Sequence, residues 1–301
     1  MSGRTPLPGR PFGRVLTAML SPFDTDGRLD PKVAQEVAAA LVDGGNDGLV
    51  VNGTTGEAPT TTDREKELLV RAVVEAVGER ATVVASVGTY DTAHSRELAR
   101  QALRAGAHGL MAVTPYYSRP AQEGLVAHFT GVADACDLPV LLYDNPARAG
   151  VAIEVDTLLR LAEHPAIVAV KDAKGDFLAG ARVMAETELA YYCGEDPLNL
   201  PWLSVGAVGF VSVIGHVVGD RLRALLDTFE AGDVVAARTV HFELLPVYRA
   251  LGRVGGVAFV KTACGLRGLA VGAPRLPLVP ADAAQRAAIA ADLAWAGVRL
   301  D

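Results

Sequence analysis

The 301-residue sequence predicts an α/β fold, a (β/α)8 TIM barrel followed by three extra C-terminal helices. Short, β-branched apolar runs recur eight times, and stretches with helical patterning and recognisable caps alternate with them. No interior Pro, Gly or Ser linker divides the chain, so the length fits one barrel of about 250 residues plus appended helices.

Residues 1–12 read as a flexible arm, because Met1–Pro11 is rich in Pro, Gly and Arg and lacks the apolar run of a signal peptide. The barrel is assigned to residues 13–231. Its strands are expected at Val15–Leu20, Leu49–Val51, Thr82–Val87, Leu110–Val113, Val140–Tyr143, Ile167–Val170, Leu189–Tyr192 and Phe210–Val213. These runs are continuously apolar rather than alternating, as parallel strands buried on both faces should be. Thr62-Asp63-Arg64-Glu65 is a capping box that opens a helix over Asp63–Val77, and Gly78 closes it. Asp91 caps a second helix over Thr92–Ala105. A weak repeat supports the same unit: Gly45-Asn46-Asp47-Gly48, Gly106-Ala107-His108-Gly109 and Gly206-Ala207-Val208-Gly209. Each offers a glycine where a helix stops and a tight turn into a strand. Closing the sheet removes its edges, with an open doubly wound sheet as the alternative. Residues 232–301 form the helical extension, with helices expected at Asp233–Arg249, Val257–Leu266 and Asp282–Ala296.

Composition excludes several classes. Half the residues are apolar and 21% are charged, which argues against long disorder. The net charge is −7 and the basic residues are scattered, so no stripe for nucleic acid is present. An acidic chain that handles an anionic substrate needs a local cation. Cys136, Cys193 and Cys264 read as reduced, buried thiols of a cytoplasmic protein. Pro197–Gly219 lacks charged residues, but Asn199, Pro201, His216 and four glycines suit turns around one buried strand better than a membrane span. The six histidines are isolated, without zinc-ligand spacing, and no Walker loop or Rossmann fingerprint occurs.

In such a barrel the chemistry lies just beyond the strands. There the chain carries Asn52-Gly53-Thr54-Thr55-Gly56-Glu57, Thr114-Pro115-Tyr116-Tyr117, Tyr143-Asp144-Asn145-Pro146-Ala147-Arg148 and Lys171-Asp172. Lysine is scarce, five against 23 arginines, and only Lys171 terminates a core strand. A confined mouth disfavours the ammonium and frees an amine for imine formation with a ketone. The bland alternative is a structural ion pair with Asp172. Tyr143, one strand away, is the natural proton-transfer partner, and hydroxyls such as Thr54 and Tyr117 extend it into a relay. The glycines around Thr54 and Thr55 let main-chain N–H groups approach a carboxylate.

Together these segments resemble the dihydrodipicolinate synthase (4-hydroxy-tetrahydrodipicolinate synthase) family of pyruvate-dependent class I aldolases. The likeness runs from about Gly13 to about Pro277 with the motifs in order. It implies that Lys171 forms a Schiff base with pyruvate and that Tyr143 moves protons through Thr54 to a Tyr117 supplied by the adjacent subunit. It implies that Thr55 holds the pyruvate carboxylate, with Gly194 and Val211 also at the substrate. Arg148 then holds the carboxylate of L-aspartate semialdehyde, and the product is 4-hydroxy-tetrahydrodipicolinate, a precursor of lysine and diaminopimelate. The resemblance further implies a homotetramer built from dimers, with no metal and no organic cofactor. Related aldolases of N-acetylneuraminate or keto-deoxy sugars share the lysine and tyrosine, and Arg148 favours the acidic aldehyde. A non-catalytic sensor on the same barrel would be expected to have lost Lys171 or Tyr143. Three residues depart from the family pattern: Ala58, Asn145 and Ala147.

Overall fold

The computed structural model describes residues 9–301. Eight parallel strands close in sequence order: β1 (Val15–Ala18), β2 (Gly48–Val51), β3 (Thr82–Ser86), β4 (Gly109–Val113), β5 (Val140–Asp144), β6 (Ile167–Asp172), β7 (Ala190–Cys193) and β8 (Gly209–Ser212). Strand β8 pairs with β1 and leaves no edge. Every apolar run read from the sequence is a strand, because only the interior and the helix layer together can cover both its faces.

The local signals act as expected. Thr62 and Glu65 form the reciprocal capping box at the head of Asp63–Val77, and Asp91 caps Thr92–Arg104. In the repeat, Gly45, Gly106 and Gly206 have φ of 99°, 89° and 112°, where a side chain would strain the turn out of the helix.

Two layers of apolar side chains result. The larger lies between the strands and the outer helices, and the smaller fills the barrel interior with Leu16, Val50, Val84, Met111, Leu141, Tyr192 and Val211 among others. Phe12 belongs to this inner layer and is fully buried. The flexible arm assigned to 1–12 is therefore corrected at its end, where Phe12 plugs the barrel because an exposed phenyl ring would forfeit its burial. The remainder of that arm, residues 1–8, lies outside the described residues.

The extension holds four helices rather than three: Val234–Glu243, Leu245–Val254, Gly256–Gly265 and Ala283–Trp295. The expected helix Asp233–Arg249 is broken at Leu244. Pro246 has no N–H to continue the ladder and its ring clashes with the preceding turn, so it starts a new helix. Among the described residues no helix is long and apolar enough to cross a membrane. The uncharged stretch Pro197–Gly219 forms the short helix Asn199–Val205, β8 and the head of Gly215–Glu230.

Candidate active site

The carboxyl ends of the strands surround a cavity of about 560 Å³ lined by Thr54, Thr55, Tyr143, Arg148, Lys171 and Gly194 among others. Six of the eight residues expected at the site thus meet in one place. A larger open depression, about 690 Å³, lies on the extension among Phe242, Leu245 and Trp295, away from the strand ends.

Lys171 is placed by the pleat of β6. Successive side chains point to opposite faces, so Lys171 enters the barrel and Asp172 leaves it. Asp172 accepts hydrogen bonds from the N–H groups of Lys174 (2.9 Å) and Gly175 (2.8 Å). The Lys174 ammonium sits 3.1 Å from Asp144, the residue opposite Asp172 on β5. The Lys171–Asp172 ion pair is thereby ruled out: the outward carboxylates are satisfied behind the strand. Burial raises the pKa of both Asp144 and Asp172, with Lys174 opposing it. Lys171 is 5% exposed, lies 4.1 Å from the centroid of the Tyr143 ring and meets no carboxylate among the described residues. Tyr143 is its register partner on β5.

Gly194 lies directly against this lysine. A Cβ there would come within 2.9 Å of both Cγ and Cε of Lys171 and 3.0 Å from the Asp172 carbonyl oxygen. The absence of a side chain at 194 is what lets the lysine stem lie along β7.

The loop after β2 is held from outside. The Ser21 hydroxyl donates to the Gly56 carbonyl at 2.6 Å. Glu57 has φ of 55° and turns its carboxylate into a buried pocket. There it lies 3.2 Å from the Lys261 ammonium and accepts from the Arg275 N–H at 2.8 Å. Thr55 is buried at the cavity and Thr54 is exposed beside it, and their main-chain N–H groups have no acceptor among the described residues. Two backbone donors on a loop fixed in this way form an anion seat.

The β5 loop supplies the next groups. Arg148 stands on the short helix Pro146–Ala149 at the cavity rim. Asn145 caps that helix, accepting the Arg148 N–H at 3.2 Å, and its amide donates to the Tyr143 hydroxyl at 3.0 Å.

Two expectations change, and a third residue finds no partner within one chain. Within one chain the Tyr143 hydroxyl is hydrogen-bonded to Asn145 rather than to Thr54, although Thr54 and Tyr143 line the same cavity. Tyr117 is 95% exposed with φ of 72° and touches no group of its own site, whereas neighbouring Tyr116 packs edge-on against Tyr90 at 5.4 Å. Val211 is fully buried in the inner layer below the cavity, and Val213, two residues on along the same face, is the one that lines it.

Glu195 was not anticipated. It lines the cavity beside Gly194, and partial burial together with Asp196 raises its pKa against the pull of Lys171 and Arg148. Its signal in the sequence is its place just beyond β7, equivalent to the site residues beyond β2 and β5.

Residues 11–296 match the family model described as the dihydrodipicolinate synthetase family. The chain is 58% identical over 296 residues to 4-hydroxy-tetrahydrodipicolinate synthase 2 of Streptomyces coelicolor, covering 98% of this chain and 99% of that one. It is 58% identical over 287 residues to the 4-hydroxy-tetrahydrodipicolinate synthase of Mycolicibacterium gilvum, covering 95% of each. Among solved structures it resembles the lysine-bound dihydrodipicolinate synthase of Cyanidioschyzon merolae, with a TM-score of 0.94 and 36% identity over 96% of this chain and 99% of that one. The Bacillus anthracis dihydrodipicolinate synthase gives 0.92 and 40%, over 94% and 98%.

Proposed function

This chain belongs to the dihydrodipicolinate synthetase family, and from that premise we propose that it condenses pyruvate with L-aspartate semialdehyde to 4-hydroxy-tetrahydrodipicolinate. The observation that carries the reading is Lys171: a buried amine, free of carboxylate partners among the described residues, facing a tyrosine ring inside a cavity.

The Lys171 amine attacks the ketone carbon of pyruvate, and loss of water gives an iminium. That cation is an electron sink, so a methyl proton leaves and an enamine forms at neutral pH. The enamine carbon then attacks the aldehyde carbon, whose oxygen takes up a proton. Attack by the substrate's own amine on the former ketone carbon closes the ring and releases Lys171. Water and protons are the only other species required.

Tyr143 is the proton carrier, since its hydroxyl has an acceptor role towards Asn145 and a proton left to give. Thr55 and the free N–H groups of the β2 loop seat the pyruvate carboxylate. Arg148, at the rim, pairs with the carboxylate of the aldehyde. Gly194 leaves room for the Lys171 stem, and Val211 supports the floor from below. The exposed Tyr117 completes the relay through Thr54 in a neighbouring copy, which favours a homotetramer assembled from dimers. The cytoplasm is the proposed location.

Borohydride added with pyruvate should inactivate the enzyme and leave a reduced pyruvyl group on the peptide containing Lys171. Turnover with aspartate semialdehyde should exceed that with neutral aldehydes. Label on another lysine, or a preference for neutral aldehydes, would overturn the reading.

A further inference from the structure

Asn145 is 7% exposed, yet its side chain lines the cavity together with Tyr143, Arg148 and Lys171. Its amide has one orientation that works. The Arg148 N–H, 3.2 Å away, is a donor and requires the amide oxygen. The amide nitrogen is thereby turned to the Tyr143 hydroxyl at 3.0 Å. Reversing the amide would set N–H against N–H at the head of Pro146–Ala149.

A hydroxyl that accepts from an amide keeps its own proton for another partner. Among the described residues the Tyr143 hydroxyl has no acceptor, and the side chain lines the cavity, which leaves its proton for a group bound there. The same side chain thus fixes the direction of the phenol and the position of the helix that carries Arg148. We propose that Asn145 is a positioning residue for both half-reactions: it aims the Tyr143 proton into the cavity and holds Arg148 in register with it. The inference rests on the reading of Tyr143 as the proton carrier.

Asn145→Asp separates the two bonds, since it keeps an acceptor for the Arg148 N–H and replaces the donor by an oxygen that draws the phenol proton back. Its kcat should fall on the order of tenfold to a hundredfold, part of what a positioned proton-transfer group supplies. The KM for aspartate semialdehyde should change by less than about threefold, because one retained neutral hydrogen bond is worth only a small factor in affinity. Asn145→Val loses both bonds, and should lower kcat and also raise that KM. Asn145→Ser, which keeps a short cap, serves as the soluble counterpart if the valine variant fails to fold. In a Tyr143→Phe background Asn145→Asp should have little further effect on kcat. Full kcat in Asn145→Asp, or an equal loss in both backgrounds, overturns the proposal. A fully active Tyr143→Phe instead overturns the role given to Tyr143, so the two failures are told apart.

Discussion

Lys171 and Lys261 are matched in burial, each 5% exposed, and each ammonium lies over an aromatic ring, 4.1 Å from Tyr143 and 4.2 Å from Phe23. Their remaining neighbours differ. Lys261 lies 3.2 Å from Glu57 and donates to the carbonyls of Ala273 at 3.0 Å and Val271 at 3.4 Å. Burial lowers its pKa from the ordinary lysine value, with Glu57 pulling the other way. Lys171 has no such partners among the described residues. Partners rather than burial separate the amine proposed for the chemistry from the one that ties the β2 loop to the extension. The second lysine reaches the cavity only through Glu57, which ends the β2 loop and itself lines the cavity.

The largest effect should come from Lys171→Met. Without the nucleophile kcat should fall by about 10⁴-fold or more, as removal of a covalent catalyst does elsewhere. Stability in urea should stay level or rise, since an unpaired buried amine is exchanged for an apolar chain. A marked loss of stability would show that Lys171 is structural and collapse the contrast.

Lys261→Met should do the reverse. It leaves the Glu57 carboxylate buried without its cation, at about 3–5 kcal/mol, read as a lower urea midpoint. Borohydride labelling of Lys171 should persist under native conditions. Unchanged stability would mean that Arg275 alone holds Glu57.

Gly194→Ala sharpens the chemical side. The new methyl meets the Lys171 stem at 2.9 Å and must displace it. A shift approaching 1 Å at a reacting group costs about 10²-fold, so kcat should fall by roughly that factor while the midpoint moves little. Wild-type turnover would show that the amine does not need this path.

The smallest effect concerns acid. Hydrogen bonding to Arg275 holds the Glu65 carboxyl at about 2 instead of 4.5, and Arg275 also ties Glu57. Between those pH values the unfolded chain binds a proton at this position that the folded chain does not. The contribution is therefore complete above pH 4.5 and is lost as pH falls towards 2. Glu65→Gln should flatten that part of the stability profile. An unaltered acid slope would place the clamp's strength in the Glu57–Lys261 pair.

How far each feature was legible depends on the range of its cause. The strands, the capping box at Thr62 and the turn glycines at 45, 106 and 206 act within a few residues, and all carry local signals. Pro246 is equally local, yet the apolar pattern of Asp233–Arg249 concealed the break it causes. Glu195 carries a local signal too, its place just beyond the end of β7. Asn145 stood out as a departure, but its two bonds depend on how the chain turns after Tyr143.

By itself the sequence determined the barrel and the placement of Lys171 at the inner end of a core strand. Periodicity, caps and a lone lysine at a strand end are properties of short segments, and the pleat alone sends Lys171 inward and Asp172 outward. Only the tertiary structure decided which groups surround that amine. Glu57 meets Arg275 across 218 positions and Gly194 meets Lys171 across a strand pair, contacts that no local pattern records. The same holds for Lys261, whose burial resembles that of Lys171 and whose role differs because the fold brings Glu57 and two carbonyls to it. A charged group's worth depends on the dielectric and the partners around it, and those exist only once distant segments have packed.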